Sequence, residues 1–141
     1  VVISGQICFG ADGRIAGAHT GKLGAEVSAE DGIAAARLCA LNVLAQLQAA
    51  VGDLDRGVVQ CIRLGGFINA VPTFAGLAGI MNGASDLMVE ILGDRGRHAR
   101  STVGVAELPL DAAVDALARI HQLDRRQRHQ QRHSKDTRKG Q

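Results

Sequence analysis

Three phenylalanines and no tyrosine or tryptophan in 141 residues constrain the fold more than any other feature, because the core has to close on aliphatic and small side chains. The same poverty in rings nearly excludes a base-stacking platform of the kind that single-strand binders build from several exposed aromatics. The length suits one domain, since single cores stop growing only beyond roughly 250 residues. A chain of this size buries roughly two thirds of the surface its unfolded form exposes, so it holds a core without disulfide or metal staples. Cys8, Cys39 and Cys61 are odd in number and widely spaced without a nearby histidine. They read as reduced, buried small residues rather than a disulfide or zinc framework. No apolar run approaches the ~20 residues of a membrane span and no basic-then-apolar leader opens the sequence, so a cytoplasmic protein is expected.

Charge is unevenly spread. Residues 1–118 carry 8 Lys+Arg against 12 Asp+Glu, a net of −4, whereas residues 119–141 carry 8 against 2, a net of +6. The expected organisation is an α+β domain over 1–118 and a basic tail over 119–141 with too few apolar residues to offset its own ordering entropy. The tail reads as a solvated terminus; its functional reading is a salt-sensitive arm for nucleic acid or an acidic partner.

Val1 to Phe9 is β-branched and apolar and runs into Gly10-Ala11-Asp12-Gly13-Arg14, a strand entering a turn. The sequence opens inside that strand, so either residue 1 is close to the natural start or a pairing partner that normally precedes it is missing. Ser28 with Asp31 three residues on starts a helix, which Gly52 stops. Ile33, Arg37, Leu41, Leu44, Gln48 and Val51 share one side of it, widened by Leu38, Ala45 and Leu47. Gly57 to Asn69 predicts a strand with a bulge or a close backbone approach at Gly65-Gly66, ended by Pro72. A second helix is expected from about Phe74 to Leu92, with Leu77, Ile80, Met81, Ala84, Leu87, Met88 and Ile91 in its stripe. Its glycines 76, 79 and 83 each weaken it by up to ~1 kcal/mol relative to Ala. Arg100 to Leu108 is a strand closed by Pro109. Residues 111–120 favour helix locally, with a strand possible in tertiary context. Strand, helix, strand, helix, strand fits a sheet with two helices packed on one face.

Gly10, Gly13 and Gly17 form no phosphate loop, since no helix start with Lys and Ser/Thr follows. His19 and His98 are isolated, and no metal site is expected. The segment Arg97-His98-Ala99-Arg100-Ser101-Thr102-Val103-Gly104-Val105-Ala106-Glu107-Leu108-Pro109 is more informative. Together with Ser4-Gly5-Gln6, Leu64-Gly65-Gly66-Phe67-Ile68-Asn69 and Asn82, it resembles the Rid family, the YjgF-like reactive intermediate deaminases, also called perchloric-acid-soluble proteins. The resemblance covers residues 1 to about 115.

What it implies is a chorismate-mutase-like α+β fold, a homotrimer, and clefts between subunits that bind small carboxylates. The implied activity is hydrolysis of imine and enamine acids to 2-keto acids and ammonia, with no metal or organic cofactor. The carboxylate-binding arginine falls on Arg100. Thr102 takes the place whose backbone orients the attacking water, Gly5 that of a glycine leaving room at the backbone, and Asn82 that of a polar cleft residue. Counted without gaps from Arg100, the water-orienting glutamate falls on Asp115, one methylene shorter; a two-residue slip would make Asp115 the next acidic position instead. Two departures stand out. Thr102 occupies a position where many deaminases have Cys, and no Gly-Pro-Tyr-Ser type of segment occurs among the 141 residues. Blander readings are open for each residue: Arg100 pairing an acid across a subunit interface, Asn82 as helix surface, Gly5 serving strand packing. Two other functions stay open as well, a non-catalytic carboxylate-binding or regulatory module on the same scaffold, and a ribonuclease or translation inhibitor, for which only the tail is cationic.

Overall fold

A computed structural model describes residues 1–124, 126 and 127. Ser28 caps the first long helix, α1 (Ala29–Val51), by accepting a hydrogen bond from the Asp31 amide at 3.1 Å, and Gly52 closes it with φ 83°. The side buried against the rest of the chain is Ala35, Ala36, Cys39, Ala40, Val43, Leu44 and Leu47. That corrects the expected stripe: Ile33 and Leu41 are 42% and 51% exposed. The reason is steric. Small residues let α1 come close to its neighbours, as at Gly32, where an added Cβ would stand 2.6 Å from a Leu23 methyl. By length and apolar content α1 is long enough to cross a bilayer, contrary to the expectation that no such run exists. Its Ala–Leu face is instead packed into the core.

The sheet holds four strands in the order β1-β4-β2-β3, with β1 Val2–Ile7, β2 Val58–Asn69, β3 Ala99–Val105 and β4 Val114–Gln122. A one-turn helix, α2 (Leu54–Gly57), leads into β2. The second long helix, α3 (Leu77–Leu92), crosses from β2 to its parallel neighbour β3, the connection that parallel strands require. β4 is antiparallel to both β1 and β2 and fills the place between them. Pairing on both sides settles residues 114–122 as strand over the local helix preference, and Val114, Ala116, Ala118 and Ile120 point into the core. The boundary expected at 118 therefore lies inside β4. The rest of the basic-tail reading falls almost entirely outside the described residues.

The paired glycines act by close approach. A Cβ on Gly66 would stand 2.5 Å from Met81 Sδ of α3, and the bulges of β2 lie elsewhere, at Val58/Gln60 and Cys61/Arg63. At the end of β2, Asn69 is wholly buried and fully used: Lys22 Nζ donates to its Oδ1 at 2.5 Å, and its Nδ2 donates to Glu107 at 3.2 Å and Asp111 at 3.0 Å. All three cysteines are free and buried. The result is an α+β fold in which both long helices cover one face of a mixed sheet.

Candidate active site

β3 is an edge strand, and Arg100 pairs in register with Leu64, a core residue, so its side chain leaves the sheet on the helix side. There it meets α3. Arg100 Nη1 donates to Asn82 Oδ1 at 2.9 Å and to Ser85 Oγ at 3.0 Å, and Nη2 donates to the Ala78 carbonyl at 3.2 Å. Positions 78, 82 and 85 are spaced four and three apart, one side of a helix. Three of the five guanidinium N–H groups are thus committed, leaving Nε–H and one hydrogen on Nη2. Two donors are what a carboxylate takes bidentately. Among the described residues no carboxylate pairs with Arg100, whereas Arg37, Arg56, Arg95 and Arg97 each do pair with one.

Thr102, two residues on, lies on the same side of β3 and is opposite Gly66. Its Oγ1 is buried without a hydrogen-bond partner among the described residues. Arg100 is thus bonded to Asn82 and shares its side of β3 with Thr102.

Gly5 and Asp115 form a second group. β1 and β4 lose register between Ile3 and Gln6, which puts Ser4-Gly5 in an irregular step, and a Cβ on Gly5 would lie 2.6 and 2.8 Å from the two Asp115 carboxylate oxygens. The room that Gly5 provides is occupied by this carboxylate. Asp115 Oδ1 is buried and has no hydrogen-bond partner among the described residues, and burial raises the carboxyl above its ordinary value, opposed by the Ala116 amide. Asp115 alternates with core-facing Val114 and Ala116, so it lies on the open face of the sheet, opposite to Arg100 and Thr102. Within one subunit, Arg100 and the Asp115 carboxylate are on different sides of the sheet.

A raised carboxyl has a sign that can be measured. The unfolded chain ionises Asp115 at the ordinary value and the folded chain only at higher pH, so folded-state stability falls as pH rises through that window. Asp115→Asn is expected to remove this slope and to raise Tm at neutral pH, checked by thermal melts across pH; a wild-type slope in the variant would contradict it.

Ser85 has no role in the sequence reading, and His98, expected to be isolated, is not. Ser85 and His98 are joined by a 2.9 Å hydrogen bond beside Arg100. The signal was present, since Ser85 stands one turn beyond Asn82 and His98 two residues before Arg100. Among the described residues no three metal-ligating side chains cluster.

Comparison with known proteins decides the family. Residues 1–121 match the profile described as "YjgF/chorismate_mutase-like, putative endoribonuclease". The chain belongs to the YjgF/chorismate-mutase-like family. One relative is Protein TCP17 of Trypanosoma cruzi, 47% identical over 122 residues that make up 84% of this chain and 74% of that protein. Among solved structures, Atu1372 of Agrobacterium tumefaciens, of unknown function, superposes with TM-score 0.83 at 41% identity, covering 87% of this chain and 76% of its own. TdcF of E. coli, solved with bound serine, superposes at 0.57 with 25% identity, covering 87% and 80%. The YjgF-like members thus share the four-stranded mixed sheet and its helices.

Proposed function

We propose that this YjgF-like protein is a cytoplasmic Rid-type deaminase, a homotrimer that hydrolyses short 2-imino and enamine acids to 2-keto acids and ammonia in clefts between copies. The observation that carries this reading is the two-donor fork of Arg100, held on α3 by three hydrogen bonds and, among the described residues, not neutralised by an acid. The serine bound in TdcF carries the α-carboxylate such a fork takes. Free, buried thiols agree with a reducing compartment.

The reaction asks little of the protein beyond placement. An imine carbon is already electrophilic; water adds to it, the nitrogen takes a proton, and the resulting carbinolamine expels ammonia to leave the keto acid. Arg100 would hold the substrate carboxylate. Asn82, whose Oδ1 is engaged by Arg100, keeps its amide N–H groups for the substrate. The Thr102 backbone carbonyl and a carboxylate would orient the water, and positioning of this kind supplies much of the rate. A carboxyl raised by burial suits the proton-transfer role. Because Asp115 lies on the opposite side of the sheet from Arg100, the carboxylate reaches the anchor only from a neighbouring copy. The open face that a neighbour would cover includes Val103, 47% exposed.

A second reading, a carboxylate-binding module without catalysis, is favoured by the unpartnered Thr102 hydroxyl where many deaminases have a thiol. Trapping separates the two. With 2-aminoacrylate generated in situ and captured by semicarbazide, the wild type is expected to lower the capture rate and Arg100→Ala to leave it as without protein. Equal capture by both would sink the deaminase reading and leave the binding module.

A further inference from the structure

Ser85 and His98 form a chain of hydrogen bonds behind Arg100. His98 Nδ1 lies 2.5 Å from the Gly96 carbonyl, and Nε2 lies 2.9 Å from Ser85 Oγ. A carbonyl only accepts, so Nδ1 is the donor to Gly96, and in the neutral imidazole Nε2 is then the acceptor. Ser85 Oγ accepts Arg100 Nη1–H at 3.0 Å and its own hydrogen is then free for His98 Nε2. Every donor in this line points the same way, from Arg100 through Ser85 to His98, while the imidazole N–H is taken by Gly96. The far end is fixed to the same helix. Gly96 is buried, and a Cβ there would run into the Met88 carbonyl and stand 2.9 Å from Val89 Cα, so the accepting backbone lies directly on α3. His98 and Arg100 are two residues apart on extended chain and Ser85 is one turn from Asn82, so strand and helix each supply two members of one polar seam.

We propose that Ser85 and His98 are positioning residues for Arg100: together they fix the guanidinium so that Nε–H and the remaining Nη2–H are presented as one fork to a carboxylate. This rests on the reading of Arg100 as the carboxylate anchor. Ser85 holds one Nη1 hydrogen and Asn82 the other; without Ser85 the guanidinium keeps only Asn82 and the Ala78 carbonyl, and the fork is held less firmly. His98 acts through Ser85, by accepting its hydroxyl hydrogen and so turning the oxygen lone pairs toward Arg100. Preset geometry of this kind improves affinity by lowering what ordering costs on binding.

The test uses the full chain and pyruvate, with Kd measured by titration calorimetry and Tm as a control. Ser85→Ala and His98→Ala are each expected to raise Kd about tenfold, the worth of one charge-assisted hydrogen bond. The double variant should be no worse than either single one, because one break releases the whole line. His98→Gln, which places an amide oxygen near the position of Nε2, should recover most of the affinity, which a role confined to stability would not produce. Wild-type affinity in His98→Ala with binding lost in Arg100→Ala would overturn the relay and leave the anchor standing. Unchanged binding in Arg100→Ala would overturn both. A readout without ligand is the ring tautomer by 15N NMR: Nδ1–H is expected at neutral pH in the wild type, and Nε2–H would overturn the relay whatever the titrations give.

Discussion

Arg100→Ala is expected to weaken binding of a 2-keto acid such as pyruvate at least about a hundredfold, since each charge-assisted bond of a bidentate clamp is worth roughly 1.5–3 kcal/mol. The effect on folding should be small by comparison. The three acceptors that Arg100 now engages belong to α3, where Asn82 is exposed and Ser85 half-buried, so water can replace the lost donor. Arg100→Lys should recover only part of the affinity, because an ammonium is a point charge and cannot reproduce the planar fork. Calorimetric titration and thermal melts on the same preparations check both halves. A large fall in Tm accompanied by normal pyruvate affinity would make Arg100 a structural residue.

The second large effect concerns stability and two glycines four positions apart on α3. Gly83 packs against α1 so closely that an added Cβ would collide with the Ile33 carbonyl oxygen and lie 3.1 Å from its carbon, both backbone atoms that cannot step aside. Gly83→Ala is therefore expected to separate the two helices and to cost about 1–3 kcal/mol, the range of overpacked cores. At Gly79 no atom of the described residues lies within 4 Å of where a Cβ would stand. Gly79→Ala should stabilise by up to about 1 kcal/mol, the ordinary helix propensity gain. Chemical denaturation of the two variants measures both; equal shifts of one sign would show that close helix packing at Gly83 is not what the glycine serves.

That contrast shows where the sequence was legible. Propensity treats glycines 79 and 83 alike, and only the neighbouring helix separates them. The same holds along α1, where hydrophobicity favours the Ile33–Leu41 side while packing distance favours the Ala/Cys side. Local signals were reliable where the physics is local: Ser28 with Asp31 starts α1 and Gly52 and Gly93 end the two long helices. Residues 111–120 could not be settled locally, because what makes β4 a strand is the gap between β1 and β2. In the site, Arg100 and Asn82 are joined by a hydrogen bond, a contact no spacing within one segment gives. The opposite placement of Asp115 depends on pleat parity across three strands, and no spacing within one segment reveals it. Ser85 and His98 were readable in principle from helix and strand periods, once it is known that α3 lies against β3.

That opposite placement calls for a site completed by a neighbouring copy. If the Arg100 of one copy works with the Asp115 of the next, two different inactive chains should repair each other when they assemble together. Co-expressed Arg100→Ala and Asp115→Asn chains, each inactive alone in the semicarbazide assay, are expected to recover about a quarter of the wild-type rate, since each mixed trimer holds one intact cleft. Activity no higher than that of the separate variants, in samples whose mixed composition is verified by mass spectrometry, would contradict a site shared between copies.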